Sequence, residues 1–167
     1  IDRATTMGVS GIAARMRMQD LCLYQSKTLS SVLKTVPGKC LRMINIAGGA
    51  ASDTINTLRL IQKIDAALLG NRRIEIHLLE VDELSARFAE KGLDALQMPG
   101  EDFEKLDLIF QFHHKSWGDE DAWRDILKDS AENIILCSSE GGLFEYGQDE
   151  DIQRVLKILA DQPSFSM

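Results

Sequence analysis

No apolar run in the 167-residue chain approaches the roughly 20 residues needed to span a bilayer, which excludes an evident transmembrane helix. The opening residues IDRATTM contain no continuous hydrophobic segment, so no secretory leader is visible. There are only three cysteines, Cys22, Cys40 and Cys137, an odd number without metal-ligand spacing. They read as free thiols, and free thiols point to a reducing, cytoplasmic setting. The paired carboxylates have neither the spacing nor the histidine neighbours of a metal site, so none is expected. The chain begins on Ile1 rather than Met, which suggests a trimmed or incomplete chain. Internal repeats and low-complexity tracts are also lacking.

Basic charge is scarce: 19 Lys and Arg stand against 26 Asp and Glu, for a net charge of −7. The imbalance is uneven. Residues 1–42 hold seven bases (Arg3, Arg15, Arg17, Lys27, Lys34, Lys39, Arg42) and two acids, whereas the remainder holds 12 bases and 24 acids. An acidic body argues against a nucleic-acid partner. The basic segment reads as a helical element lying on that body, with contact to an anionic substrate as the alternative.

What is present is an alternation of strands and helices in an ordinary globular composition, 44 % hydrophobic and 27 % charged. Apolar positions Met18, Leu21, Cys22, Leu29, Val32 and Leu33 predict a helix that Pro37-Gly38 ends. CLRMINIA predicts a strand buried on both faces. Ser52 or Asp53 then caps a helix whose apolar face is Ile55, Leu58, Ile61, Ile64 and Leu68. RIEIHLLEVD predicts a second strand, residues 84–91 a helix, LDALQM a weak third strand and LDLIFQFH a fourth. GDEDAWRDILKDS predicts a helix with acids in its first turn, NIILCSS a fifth strand and DEDIQRVLKILAD a last helix. The expected fold is α/β: one doubly wound, mainly parallel sheet with helices on both faces. Residues 1–40 form its N-terminal helical segment and residues 41–167 its α/β domain.

In such sheets ligands bind outside the carboxyl ends of the strands. The exit of the first strand, INIAGGAAS, is therefore the first candidate site. It lacks a dinucleotide G-x-G-x-x-G, because the third glycine would fall on Asp53, and it lacks a phosphate-loop lysine. With Asp53 at the helix start it suits a nucleoside-type ligand without phosphates, preferably one bearing positive charge.

INIAGGAAS resembles the first motif of class I S-adenosylmethionine-dependent methyltransferases. Asn45 stands at the family's acidic position, and Ala47, Gly49 and Ala51 stand on its three glycines, with Gly48 between them. EVDELS resembles the end of that family's second strand, where a carboxylate takes the ribose hydroxyls. Asp82 is preferred for that role and Glu80 is second. In MPGEDFEKLDLIFQFHHKSWGDEDAW the resemblance implies Asp102 against the adenine amino group, with Glu101 as alternate, and Phe103 over the ring. His113 and His114 match the LHH that follows the family's fourth strand. The resemblance thus implies S-adenosyl-L-methionine as cofactor, a small-molecule methyl acceptor, and His113 or His114 as base or substrate contact.

Other candidates carry a structural alternative. His77 is expected as a packed strand residue, Trp123 as core and Trp117 as a wall of a substrate pocket, while Glu140 or Tyr146 could orient an acceptor. Cys137 sits in an apolar strand without the surroundings of a nucleophile. The family adds a helix and two strands after its fifth strand, whereas here one helix and DQPSFSM follow, so those strands are expected to be missing. An edge left open in this way favours pairing with a second copy. Residues 5–35 are expected to form one or two helices covering the carboxyl edge of the sheet as a lid.

Overall fold

The computed structural model describes residues 8–139 and 142–162. Four parallel strands form one sheet in the order β3-β2-β1-β4, with β1 Leu41–Ile46, β2 Arg73–Glu80, β3 Asp107–His114 and β4 Ile134–Ser138. The helices are α1 Val9–Thr35, α2 Ser52–Asp65, α3 Ala67–Gly70, α4 Glu83–Leu96, α5 Glu120–Ile126, α6 Gly142–Tyr146 and α7 Asp149–Ala160. This is the doubly wound α/β arrangement expected from the alternation. Among the described residues no helix is long and apolar enough to cross a membrane.

The period of two along a strand sorts side chains onto two faces. Leu41, Met43, Ile74, Ile76, Leu108, Phe110 and Leu136 join Leu29 and Leu33 of α1, Leu58 and Ile61 of α2 and Leu93 of α4 in one core. On the other face Ile44, Ile46, Leu79 and Cys137 meet Trp123 and Ile126 of α5 and Val155 of α7. Every residue of β1 is buried, the polar Arg42 and Asn45 included, as befits a strand covered on both faces.

The expected third strand at 93–98 is instead the end of α4. Ala86, Ala89 and Leu93 are buried at helical spacing, and Leu96 continues that stripe onto the core. The sheet consequently has four strands, and LDLIFQFHH is its third and outermost rather than its fourth. Neither Ser52 nor Asp53 caps α2: Ala51 precedes it in a left-handed conformation and makes no side-chain cap bond. The buried face of α2 is also more polar than expected. Asp53, Thr54 and Thr57 are buried, and Ile64 is 69 % exposed.

The N-terminal segment is one helix from Val9, with residues 5–7 outside the described residues. Cys22 and Gln25 meet the first turn of α2, and the Leu33 carbonyl accepts from Arg72 beyond the end of α3. Helix α1 therefore packs beside α2 on a face of the sheet. Its first half reaches the carboxyl edge, where Arg17 pairs with Glu145 of α6 at 3.2 Å.

Candidate functional site

With strand order 3-2-1-4 the chain reverses its direction of travel across the sheet between β1 and β4. The turn leaving β1 lies at that switch point. Ala47, Gly49 and Ala51 all adopt positive φ, at 50°, 59° and 51°. These alternate positions are the ones at which the family resemblance expects glycine, and two of them hold alanine, the smallest residue after glycine. A Cβ at Gly48 would overlap the Asn45 amide and force that buried side chain to shift. The Ala47 N–H bonds the Leu79 carbonyl at 2.9 Å, which seats the turn against the exit of β2.

Glu80 ends β2 with its carboxylate turned to this loop. One oxygen accepts from the Gly49 N–H at 3.1 Å, and the other accepts from the N–H groups of Val81 and Asp82. Asp82, preferred on sequence for the ribose, is the cap of α4 instead. Its carboxylate accepts from the Leu84 and Ser85 N–H groups and from the Ser85 hydroxyl. The Ser85 hydroxyl, followed by the Leu84 N–H, holds the Asp82 carboxyl below the usual carboxylate range. An exposed Asp preceding a helix competes for that cap, whereas Glu80 is 9 % exposed and faces the glycine turn.

Beneath the turn lies a buried polar network. Asn45 Nδ2 donates to Asp53 Oδ1 at 2.5 Å, Gln25 Nε2 donates to Asp53 Oδ2 at 3.4 Å, and the Thr57 hydroxyl donates to Gln25 Oε1 at 2.6 Å. Asp53 is fully buried, in the first turn of α2 where the helix dipole favours a negative charge. Asn45 Oδ1 is buried beneath Gly48 with no partner among the described residues. Gln25 was missed in the sequence. Its signal was positional, since it stands three residues after Cys22 and four before Leu29 on the stripe that reaches the core.

The two histidines at the end of β3 point to opposite faces. His113 stacks on His77 with ring centroids 5.2 Å apart, and His113 Nε2 lies 3.0 Å from His77 Nδ1. His77 Nε2 is 3.6 Å from Glu75, which pairs with Arg42 at 2.7 Å. His77 Nε2 has no hydrogen-bond partner among the described residues, and one imidazole donates to the other across the Nδ1–Nε2 contact. Burial first, then the neighbouring charges of His113 and Arg42, pushes His77 down to about 4. Burial also lowers His113 against the opposing pull of Asp125. His114 is exposed at the carboxyl edge, its Nε2 3.1 Å from the Val81 carbonyl and its Nδ1 3.5 Å from Glu83.

Glu101, Asp102 and Phe103 are not brought to this site. Because residues 93–96 are helical, the segment 99–106 leads into the start of β3 and lies at the amino edge, opposite the glycine turn. Asp102 pairs with Arg59 of α2 at 2.7 Å, and Phe103 is fully buried in the core. Trp123 is core, donating its indole N–H to the Trp117 carbonyl at 2.7 Å. Cys137 faces the second core, and burial pushes its thiol up to about 12. Tyr146 is 74 % exposed, and Glu140 lies outside the described residues. Among the described residues no cluster of three metal-ligating side chains occurs.

No family model matches the chain, and no curated protein is significantly similar to it.

Proposed function

We propose that this chain binds S-adenosyl-L-methionine at the carboxyl ends of β1 and β2 and transfers its methyl group to a small-molecule acceptor. One observation carries the reading: a turn with positive φ at residues 47, 49 and 51 lies against the buried carboxylate of Glu80. The residues present fit such a ligand. Small residues let the backbone approach it, and a carboxylate can accept from both ribose hydroxyls. The Asn45 side-chain Oδ1 beneath Gly48 has no partner among the described residues, and the turn itself contains no cation that would suit a pyrophosphate.

When bound, the sulfonium supplies an electrophilic methyl carbon, and the protein's contribution is proximity, orientation and exclusion of water. Glu80 would hold the ribose and the backbone of residues 47–51 would pass beneath the ligand. His113 is half-buried and engaged with His77, whereas His114, bonded through Nε2 to the Val81 carbonyl, is exposed at the rim and is the histidine that would meet an acceptor's proton through Nδ1. That engagement of His113 also favours a second reading, a binding module without turnover.

Titration calorimetry with S-adenosylhomocysteine and with NADH tests the proposal. We expect binding of the first ligand only. Glu80→Ala should weaken it about tenfold or more, the scale for unpaired polar groups, and Asp82→Ala by less than about threefold. Binding of NADH alone would replace this reading with a nicotinamide-nucleotide one. Ligand binding without methyl transfer in an acceptor screen would select the second reading.

A further inference from the structure

The groove between α1 and α2 has a different chemistry from the carboxyl-edge site and shares no residue with it. In the second half of α1 the inward stripe is Cys22, Gln25, Leu29 and Leu33, all buried. Toward the N-terminus the same stripe continues through Met18 and Arg15, but there it faces a cavity of about 600 Å³ instead of a core. Opposite it stand the outward residues of α2, among them Arg59, Leu60 and Lys63. The volume is within the usual range of a small-molecule pocket.

Met18, Leu23 and Leu60 supply apolar walls, and the charged side chains lining the groove are all basic: Arg15, Arg59 and Lys63. That is a marked local excess in a chain of net charge −7. Arg59 and Lys63 are one helical turn apart, a like-charge spacing that opposes helix stability by itself. Asp102 engages Arg59 through Nε, and the terminal guanidinium nitrogens of Arg59 have no partner among the described residues. A guanidinium held along one edge and open along another is preset to take an oxyanion.

We propose that this groove binds an amphiphile with an alkyl body and a single anionic head group. The alkyl body lies along Met18, Leu23 and Leu60, where the flexible thioether adapts to its shape. The head group lies against Arg59 and Lys63 and adds a second negative charge to the one Asp102 supplies, two anionic groups facing the three cations of the groove. A fatty-acid carboxylate and a lipid phosphate monoester share this chemistry.

Calorimetric titration of the full chain with decanoate, decyl phosphate, decanol and decyltrimethylammonium, each below its micellar concentration, tests the site. Both anions should bind at one per chain, about tenfold or more tightly than the neutral and cationic probes. A preference of about tenfold for the phosphate would identify a phosphate-headed lipid as the source, and the reverse preference a fatty acid. Comparable affinity would mean that the site reads charge and chain alone, which also supports it. Arg59→Glu with Lys63→Glu should weaken the anions about tenfold or more, and the milder Arg59→Gln with Lys63→Gln should do so with an unchanged circular-dichroism melting curve. Absence of anion binding, equal binding of decanol, or undiminished binding by the glutamine pair would overturn the proposal.

Discussion

Two buried polar clusters lie on opposite faces of the same sheet and are built on different principles. Beneath the glycine turn, Asp53 is surrounded by neutral donors, the amides of Asn45 and Gln25, with a helix N-terminus as its source of positive potential. On the other face Glu75 meets a full cation, Arg42, whose guanidinium also donates to the Ile126 and Lys128 carbonyls at the end of α5, both at 2.7 Å. The first cluster ties α1 and α2 to β1 below the candidate ligand site. The second fixes α5 to the sheet beside the stacked His77 and His113. Each hydrogen bond from a neutral donor carries a modest energetic stake, while an ion pair in low dielectric costs much when half of it is removed.

The largest expected effect follows from that asymmetry. Glu75→Ala leaves the Arg42 guanidinium buried without its counter-charge and should destabilise the protein by about 3–5 kcal/mol in denaturant unfolding. A loss below about 1 kcal/mol would show that water reaches this pair and would remove the contrast.

The next effect is pH-dependent. His77 titrates at about 4 in the folded protein, below the ordinary histidine value near 6.5. As pH falls below 6.5 the unfolded chain takes up this proton while the folded one does not. The stabilisation from neutral His77 is therefore full above pH 6.5 and is lost progressively down to about pH 4, on the order of 2–3 kcal/mol. His77→Gln should remove this part of the pH dependence. Parallel pH profiles for the two proteins would sink the assignment.

The smallest effect belongs to the network around Asp53. Asp53→Asn exchanges one acceptor oxygen for an amide that faces other donors, and should cost about 1–2 kcal/mol without unfolding the chain. A loss as large as that of Glu75→Ala would make the two clusters equivalent.

Much of this fold was legible because it depends on local periodicity. The buried run of β1, the two-residue alternation of β2 and the acidic start of α5 each specify their element within a few residues. The failure at 93–98 has an equally local cause: LDALQM contains strong helix formers in register with Ala86 and Ala89, and the mild apolar run concealed that register. One misassigned strand then displaced Glu101, Asp102 and Phe103 to the wrong edge of the sheet. The glycine turn was legible as a turn. The choice between Glu80 and Asp82 was not, because two carboxylates two residues apart differ only in what surrounds them in space.

Side-chain size and spacing along the chain were enough to specify the α/β class, the strand–turn–helix at residues 41–65 and the small residues that make its positive φ values tolerable. Tertiary structure alone decided that DLIFQFHH lies at the edge of the sheet beside β2, that His113 meets His77 36 residues away, and that Glu80 rather than Asp82 turns to Gly49. Each of these depends on which strand lies beside which and on what a side chain finds there. Parallel strands pair only through long crossovers, so neither their order nor their neighbours are encoded in any single stretch of the chain.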